Sequence, residues 1–542
     1  MKNNFRFVSL FFILNAIFAT VSVVYAQNPQ GLPDNVDTSE CTVTPPANSF
    51  DIKLKWKTER YTGSDDPYSH GRGTPIVADM NGDGLPEVLI PWTTQSASGG
   101  NNAPRPNTFI TRHLNVLNGK TGQLKYTLQT CDYSVHGQGI ALADVNNDGK
   151  CEVFIVAVGP RRSPSQQKYD GKYLYCYDGS KANSGPDDYL WRTPEQVDYS
   201  FIPFIADMNN DGIPEVVVGG NIYNAITGTL LIKGTLEDTG MGFGGPHNVH
   251  GGWQQSKGID LGEQYYMFAV ADIDGDKKLE ICAGNTVYKV TLNNPIGTVG
   301  NKLEVLQQCT SSLPYSDMYD GQTFVLDFDS DGDLDVCVLG RNKNITNFSG
   351  DVNHIGLYVW EGQSPEMIGY FVCDPKVNSP SIPFAGDIDG DGYPEVIFNG
   401  WQFGVNYGGS IPNSKDQMHV FKYEKGYTLD GREKAQNIKA VFSREMTQEF
   451  NESAGFTVFD FNQDTKAEIV FRGEKNLYIL DGTTLTKLCE PVSVFSGTTA
   501  EYPVVADVDH DGHADIIVSE EFDPAKGPAG CVSVFESETP GA

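Results

Sequence analysis

Eight segments of the chain carry acidic side chains at a spacing that suits metal coordination. The segment beginning at Asp387 reads DIDGDGYPEV, with carboxylates at its first, third, fifth and ninth positions. Seven further segments of this type begin at residues 79, 144, 207, 272, 327, 460 and 507. Every copy has Asp at positions one and five, Asp or Asn at position three, and Asp or Glu at position nine. We call these segments carboxylate loops 1 to 8, in chain order.

Oxygen atoms at these four positions, with a backbone carbonyl at position seven, can close around a hard cation, and Gly at position six relieves the tight turn. Calcium is the cation that this ligand set predicts. The spacing differs from the EF-hand, whose bidentate Glu stands at position twelve of a loop between helices. The predicted ligands are Asp79, Asn81, Asp83, Glu87, Asp144, Asn146, Asp148, Glu152, Asp207, Asn209, Asp211, Glu215, Asp272, Asp274, Asp276, Glu280, Asp327, Asp329, Asp331, Asp335, Asp387, Asp389, Asp391, Glu395, Asp460, Asn462, Asp464, Glu468, Asp507, Asp509, Asp511 and Asp515.

The eight loops are not equal in sequence. Position six is Gly in six copies but Lys277 in loop 4 and Thr465 in loop 7, and position three is Asn in four copies. We predict that loop 7 is the weakest metal site. A single loop of this kind could be a solvated acidic turn, but eight copies at regular spacing favour metal sites.

Short strand-like segments flank the loops, and successive loops begin 47 to 73 residues apart. Each repeat has room for about four strands. The first repeat reads TPIVAD, EVLIPW, HLNVLNGKTG and QLKYTLQTC, and the seventh reads FTVFD, EIVFRG, NLYILDGTT and LTKLCEPV. Four antiparallel strands joined by Gly-rich turns are the blades of a β-propeller.

The eighth repeat supplies only three strands before the sequence ends at Ala542, whereas FDIKLKWKTERY at residues 50–61 precedes the first repeat. If that segment pairs with the last blade, the ring closes and leaves no open sheet edge. The predicted fold class is therefore all-β, an eight-bladed β-propeller of four-stranded antiparallel blades closed by an N-terminal strand. Seven blades with a separate unit is the alternative.

The apolar strand, the D-x-[DN]-x-D-G-x-x-[DE] loop and the strand that follows resemble FG-GAP or VCBS repeats over about residues 50–540. Repeats of this type form the calcium-loop blades of integrin α-subunit propellers, certain fungal lectins and propeller lyases of the rhamnogalacturonan-lyase type. The resemblance implies a calcium-binding propeller. It does not choose an activity, because these relatives bind proteins, bind sugars or cleave polysaccharide on similar frames.

The N-terminus has the three-part pattern of a secretory signal. Lys2 and Arg6 precede an apolar run over residues 7–24, and VYA stands before Gln27. We predict a signal peptide at 1–26, a linker at 27–49 and the propeller at 50–542. The apolar run could instead be an uncleaved anchor helix. No other segment is apolar enough to cross a bilayer, so we expect a secreted or cell-surface protein with no membrane insertion after signal cleavage.

The net charge and the cysteine content bear on the partners and the disulfides to be expected. The chain has 39 basic and 70 acidic side chains, a formal net charge of −31, which argues against a nucleic-acid partner because a phosphate backbone needs a basic surface. Ten cysteines in an exported chain allow disulfides, and we expect one or more bridges without assigning them. Cys151, Cys282 and Cys337 lie in apolar strand-like runs and are predicted to be buried thiols.

The loops on the face opposite the predicted metals carry aromatic and hydrogen-bonding side chains. Planar aromatics with polar donors in concave surfaces suit ligand binding, and sugars in particular. The alternative is that these aromatics cover the ends of the core. The candidate ligand-binding residues are His70, Arg72, Tyr133, His136, Arg161, His247, Trp253, Tyr315 and Trp401.

Three functions fit these features. The first is a binding module for a glycan or a cell-surface protein, with calcium in a structural role. The second is a polysaccharide lyase or hydrolase in which His70 or His136 acts as base while Arg72 or Arg161 binds a uronate, because proton abstraction beside a carboxylate needs a base and charge neutralisation. The third is an adhesion or assembly protein. The sequence favours the binding module.

Overall fold

The structure of the chain is a computed structural model. It describes the strands of the propeller, the carboxylate loops and many of the connecting turns. Residues 1–49, with the predicted signal peptide and linker, lie outside the described part. The described residues are 50–58, 69–71, 73–94, 110–134, 140–158, 172–182, 185, 187–197, 203–218, 220–234, 268–309, 318–342, 355–372, 379–380, 382–401, 416–426, 437–446, 455–473, 475–495, 502–520 and 531–537.

The regular structure of the described residues consists of strands. No helix among them is long and apolar enough to span a bilayer. The strands are β1 Ile52–Lys57, β2 Ser69–Gly71, β3 Ile76–Ala78, β4 Glu87–Thr94, β5 Ile110–Asn118, β6 Leu124–Ser134, β7 Ile140–Ala143, β8 Glu152–Val158, β9 Lys172–Asp178, β10 Trp191–Arg192, β11 Phe204–Ala206, β12 Glu215–Val218, β13 Asn221–Asn224, β14 Leu230–Ile232, β15 Ala269–Ala271, β16 Glu280–Ala283, β17 Thr286–Thr291, β18 Lys302–Gln308, β19 Met318–Leu326, β20 Asp335–Asn342, β21 Ile355–Glu361, β22 Met367–Val372, β23 Ser379–Pro380, β24 Phe384–Gly386, β25 Glu395–Trp401, β26 Asp416–Tyr423, β27 Ile438–Met446, β28 Phe456–Phe459, β29 Glu468–Arg472, β30 Asn476–Leu480, β31 Val492–Ser493, β32 Val504–Ala506, β33 Asp515–Glu520 and β34 Cys531–Ser537.

These strands form eight antiparallel blades arranged in a ring. Blade 1 contains β2 to β6 and blade 2 contains β7 to β10, and a single pair between Asp132 and Val158 joins them into one sheet. Blades 3, 4 and 5 take the next twelve strands in order, four to each. Blade 6 contains β23 to β27, blade 7 contains β28 to β31, and blade 8 is formed by β32, β33, β34 and β1.

Strand β1 closes the ring as the sequence predicts. It runs antiparallel to β34, with Ile52 opposite Ser537 and Lys57 opposite Ser533. The outer strand of the last blade therefore comes from the N-terminal side of the chain, and the eight-bladed prediction is confirmed. The seven-bladed alternative is wrong.

The core lies between neighbouring blades. Eight clusters of buried side chains each join two adjacent blades, and the cluster between blades 8 and 1 contains Val88 and Ile90 from one side and Ile517 and Val534 from the other. The second strand of a blade is packed on both faces: in β12, Glu215 and the three valines that follow it are all buried. Clusters of the same kind fill the other seven interfaces.

The fourth strand of blade 7 is shorter than the sequence predicts. LTKLCEPV, residues 485–492, was expected to be a strand, but only Val492 of that segment belongs to β31. The segment instead follows β30 irregularly, through an isolated bridge between Leu480 and Lys487. Leu485 has a positive φ of 55°, and Pro491 has no N–H for a ladder. The two backbone constraints explain the short strand.

Cys151, Cys282 and Cys337 are buried free thiols, as predicted. Cys176 and Cys489 are also free thiols, and Cys309 is buried. The side chains of the other four cysteines lie outside the described part of the structure. The expected disulfide therefore stays a prediction.

Candidate functional site

Each carboxylate loop joins the first two strands of the four-stranded core of its blade, so all eight open on the same face of the ring. Loop 6, for example, connects β24 to β25, and Glu395 at position nine is the first residue of β25. Positions four and six have positive φ in every loop. Position six is Gly in six loops, while Lys277 and Thr465 adopt φ values of 71° and 74° in loops 4 and 7. Positive φ is costly for a β-branched residue, so Thr465 makes loop 7 the most strained of the set.

Backbone N–H groups fix the carboxylates in each loop. In loop 6 the N–H of Gly392 donates to Asp387 Oδ2 at 2.9 Å, and the N–H of Tyr393 donates to Asp391 Oδ1 at 2.9 Å. The N–H of Ile388, at position two, donates to Glu395 Oε2 at 2.9 Å. The bond from position two to position nine occurs in all eight loops. The apolar residue at position two therefore anchors the loop in the core and also orients the ninth-position carboxylate.

The predicted ligands converge in the four loops whose ligand positions are all carboxylates. In loops 4, 5, 6 and 8, three acidic side chains offer oxygen atoms that all lie within 4.8 Å of one another. Loop 5 has a second such group, made by Asp329, Asp331 and Glu361. Loops 1, 2, 3 and 7 have Asn at position three, so they contribute an amide oxygen in place of one carboxylate. The carboxylates of loops 4, 5, 6 and 8 therefore form clusters that could hold a metal ion.

The ninth-position carboxylates supply an independent test of fit. Asp335, Glu395 and Glu280 are at most 1 % exposed, and each has one oxygen without a hydrogen-bond partner, namely Asp335 Oδ1, Glu395 Oε1 and Glu280 Oε1. A buried carboxylate oxygen with no partner costs free energy. Oxygen-rich ligand sets of this kind suit a hard divalent cation. The donor set therefore fits the predicted ion.

Burial raises the pKa of these ninth-position carboxyls. The pKa rises to about 8 for Glu215, Asp335 and Glu395. It rises to about 7 for Glu152, Glu280 and Glu468 and to about 6 for Asp515, and it also rises for Glu87. Desolvation is the largest cause in every case, and neighbouring loop carboxylates add to it. Without a bound metal ion, the ninth-position carboxyls therefore bind protons more tightly than they do in the unfolded chain.

This difference predicts an unusual pH dependence for the metal-free protein. A carboxyl whose pKa is higher in the folded state stabilises the fold at low pH, and that contribution is lost as pH rises through the folded pKa. In excess chelator, we expect the melting temperature to be higher at pH 5.5 than at pH 8. His419, whose pKa burial lowers to about 4, acts in the opposite direction but is a single group. Scanning calorimetry at both pH values checks the sign, and a higher melting temperature at pH 8 would contradict it.

Four lysines that the sequence analysis did not single out enter the loops. Lys289 Nζ lies 2.9 Å from Asp274 Oδ2 and 2.9 Å from Asp276 Oδ2 in loop 4, and Lys422 Nζ lies 3.1 Å from Asp389 Oδ2 and 2.7 Å from Asp391 Oδ2 in loop 6. Lys125 pairs with Glu87 in loop 1, and Lys55 contacts three carboxylates of loop 8. The signal for two of them is the recurrence of Lys near the end of the third strand, in VYKVT and VFKYE.

The candidate ligand-binding residues fall largely outside the described part of the chain. Arg72, His136, Arg161, His247, Trp253 and Tyr315 are not described, and His70, Tyr133 and Trp401 are described only in their backbone. The backbone of His70 pairs with Thr93, near the end of β4 remote from Glu87, and Trp401 ends β25. Both thus lie at the strand ends opposite the carboxylate loops. Ligand binding by these nine residues, and the lyase hypothesis built on four of them, stay predictions.

A family model described as FG-GAP-like repeat matches residues 327–398 and 451–518, which include carboxylate loops 5 and 6 and loops 7 and 8 respectively. The chain contains FG-GAP-like repeats. Each matched range has one carboxylate loop near its start and the next near its end, so the matches include the loops, as the sequence resemblance implied. No curated protein sequence matches the chain significantly.

Among solved structures, the FG-GAP-like propeller is similar to the V. cholerae biofilm matrix protein Bap1, with a TM-score of 0.54 and 16% identity over 91% of this chain and 92% of that chain. At this identity the likeness shows the fold. The rhamnogalacturonan lyase YesW gives a TM-score of 0.45 and 14% identity over 89% of this chain and 75% of that chain. The rhamnogalacturonan lyase PL11 of Bacillus licheniformis gives a TM-score of 0.44 and 14% identity over 88% of this chain and 75% of that chain. The two lyase likenesses are too weak to support an argument about this propeller.

Proposed function

We propose that the protein is an exported calcium-binding propeller that acts as a binding module, with calcium holding the blade loops in place. The observation that carries the calcium assignment is the set of buried ninth-position carboxylates with an oxygen that has no hydrogen-bond partner. Asp335 would hold the ion together with the carboxylates at positions one, three and five of loop 5. Calcium supplies positive charge and six to eight oxygen contacts at such a site. Extracellular calcium modules work at dissociation constants of about 0.1 to 1 mM.

The proposal places the ligand site on the face opposite the carboxylate loops, and a glycan is the ligand we propose. The aromatic and polar residues predicted for that face suit sugar rings. The fold similarity to Bap1, a biofilm matrix protein, extends over almost the whole of both chains and agrees with a role outside the cell. The predicted signal peptide at residues 1–26 is the basis for export.

A glycan array tests the proposal directly. The mature chain from Gln27 is applied to the array at 4 °C, once in 5 mM CaCl2 and once in excess EDTA. Circular dichroism first measures how much strand structure remains in EDTA. We expect calcium-dependent binding to one class of glycan, weakened by Trp401→Ala and His70→Ala. The Lys233→Met variant, which removes an exposed ion pair with Glu195, serves as the control. Absence of glycan binding in calcium would contradict the proposal and leave a cell-surface protein as the ligand to test.

A further inference from the structure

The eight carboxylate loops divide into two classes by whether they contain an ammonium group of the protein itself. Loops 1, 4, 6 and 8 hold Lys125, Lys289, Lys422 and Lys55 in contact with carboxylates at positions three, five or nine. These are positions that also supply the proposed metal ligands. In loops 2, 3, 5 and 7, no lysine or arginine among the described residues forms an ion pair with a ligand-position carboxylate. Lys425 acts on Asp329 of loop 5 only at longer range.

Strand register explains how each lysine reaches its loop. In blades 4 and 6 the lysine is on the third strand. In blade 4 the pair Ile281–Tyr288 places the next two residues, Glu280 and Lys289, opposite each other. In blade 6 the pair Val396–Phe421 places Glu395 opposite Lys422 in the same way. In blades 1 and 8 the lysine stands on the outer strand. There the register skips Lys125 and Lys55, which are the extra residues of β-bulges. A bulge re-aims a side chain, and here it directs the ammonium towards the loop.

Blade 5 has the opposite charge at the third-strand position. Asp335 pairs directly with Glu361, which occupies the place that Lys289 and Lys422 hold in blades 4 and 6. Glu361 contributes to the second carboxylate group of loop 5, with Asp329 and Asp331. Loop 5 thus gathers five carboxylates and no contacting ammonium among the described residues. Loops 4 and 6 each gather four carboxylates and one ammonium.

We propose that the lysines set which loops take up calcium: loops 1, 4, 6 and 8 carry their own cation, loops 2, 3, 5 and 7 require calcium, and loop 5 binds it most tightly through Glu361. A tethered ammonium competes at high effective concentration, and it must leave the carboxylates before calcium can occupy them. An ammonium at contact distance already balances part of the carboxylate charge, so the calcium affinities of the two classes of loop differ by about tenfold or more. This inference rests on the proposed calcium binding, and it ranks loop 7 above the lysine-containing loops, in place of the sequence-based prediction that loop 7 is the weakest metal site.

Calcium stoichiometry in the intact mature protein tests the division. The chain is stripped with chelator and titrated with CaCl2 at pH 7.5, with bound ions counted by flow dialysis and by native mass spectrometry. We expect four ions to bind about tenfold or more tightly than any others. Eight equivalent ions would overturn the inference but keep the proposed function. No calcium uptake up to 10 mM would overturn the proposed function itself.

Charge exchange at the two equivalent positions gives a sharper test. Lys422→Met keeps the apolar stem and removes the ammonium, so we expect one additional ion in the tight class. Glu361→Lys places an ammonium beside loop 5, and we expect the tightest ion to be lost from that class. Glu361→Gln, which adds no positive charge, should weaken the same ion in the same direction but less.

Two exposed charges provide matched controls. Lys233→Met and Glu195→Lys make the same changes of charge in one exposed ion pair, beside the end of β14 that lies away from loop 3, and we expect neither to alter the count. Thermal melts in 10 mM CaCl2 show that each variant is folded. An unchanged count in both Lys422→Met and Glu361→Lys would overturn the inference, and so would equal shifts in the control variants.

Discussion

Removing calcium with excess EDTA is expected to lower the melting temperature of the mature protein by roughly 10 °C relative to 10 mM CaCl2. One site held at about 100 times its dissociation constant stabilises the fold by about 2.7 kcal/mol, so four sites contribute about 11 kcal/mol. The propeller spans residues 50–537. With an unfolding entropy of about 2.1 cal/mol/K per residue, this energy corresponds to about 10 °C. Differential scanning calorimetry measures the shift.

Two additions separate specific binding from a general salt effect. CaCl2 in excess of EDTA should restore the melting temperature, whereas NaCl at the same ionic strength should not. MgCl2 should restore less, because magnesium demands near-octahedral geometry and gives up its waters reluctantly. A melting temperature that EDTA leaves unmoved, after calcium-free protein has been verified by elemental analysis, would show that the carboxylate loops do not need calcium.

The second large effect is expected from loss of the closing strand. A chain that begins at residue 59 lacks β1 and leaves β34 as an open sheet edge, which is prone to pair with other chains. It also loses the bond from Trp56 Nε1 to Gly119 O, 2.7 Å long, which links blade 8 to blade 1 across the seam of the ring. We expect a loss of roughly 5 kcal/mol or more in the free energy of unfolding, and association visible by light scattering.

Peptide complementation makes that result specific. A synthetic peptide of residues 50–58, added to the truncated chain, should raise its melting temperature and return it to a monomer. The same peptide carrying Ile52→Asp and Trp56→Ala should not, because Ile52 is buried at the interface between blades 7 and 8. A truncated chain as stable as the full one would show that β1 is dispensable for closure.

Much of this architecture follows from the sequence because its repeating unit is strongly constrained. Position one must accept bonds from the N–H groups of the following turn, and position two must be apolar to enter the core. Asp387 and Ile388 illustrate both requirements. Since the same constraints recur eight times, the loops, the strands around them and the number of blades could all be predicted. The closing role of β1 followed from counting strands.

The lysine contacts could not be predicted, because they depend on strand register. Lys422 lies 27 residues after Glu395 in sequence, and only the pairing of β25 with β26 brings them side by side. Lys55 is more than 450 residues from its loop partners. Its bulge position is a product of pairing with β34 and has no marker in the local sequence. Glu361 was missed for the same reason, since it lies outside the loop it joins.

Backbone strain in the loops was only half visible in the sequence. Gly at position six, present in six of the eight loops, indicated a positive φ at that position. Position four also has a positive φ in every loop, but it is filled by Asn147 in loop 2, Ser330 in loop 5 and His510 in loop 8, among others. Asn tolerates this conformation better than most residues, while Ser and His give little warning of it. The turn as a whole determines this angle.

Anomalous diffraction from crystals grown in calcium tests the central claim most directly. In a map collected at long wavelength, peaks are expected in loops 2, 3, 5 and 7, about 2.3–2.6 Å from the carboxylate oxygens, with the strongest beside Asp335 and Glu361. Weak or absent peaks are expected where Lys55, Lys125, Lys289 and Lys422 enter the loops. A map without a peak in any of the eight loops, at calcium concentrations of several millimolar, would contradict the account.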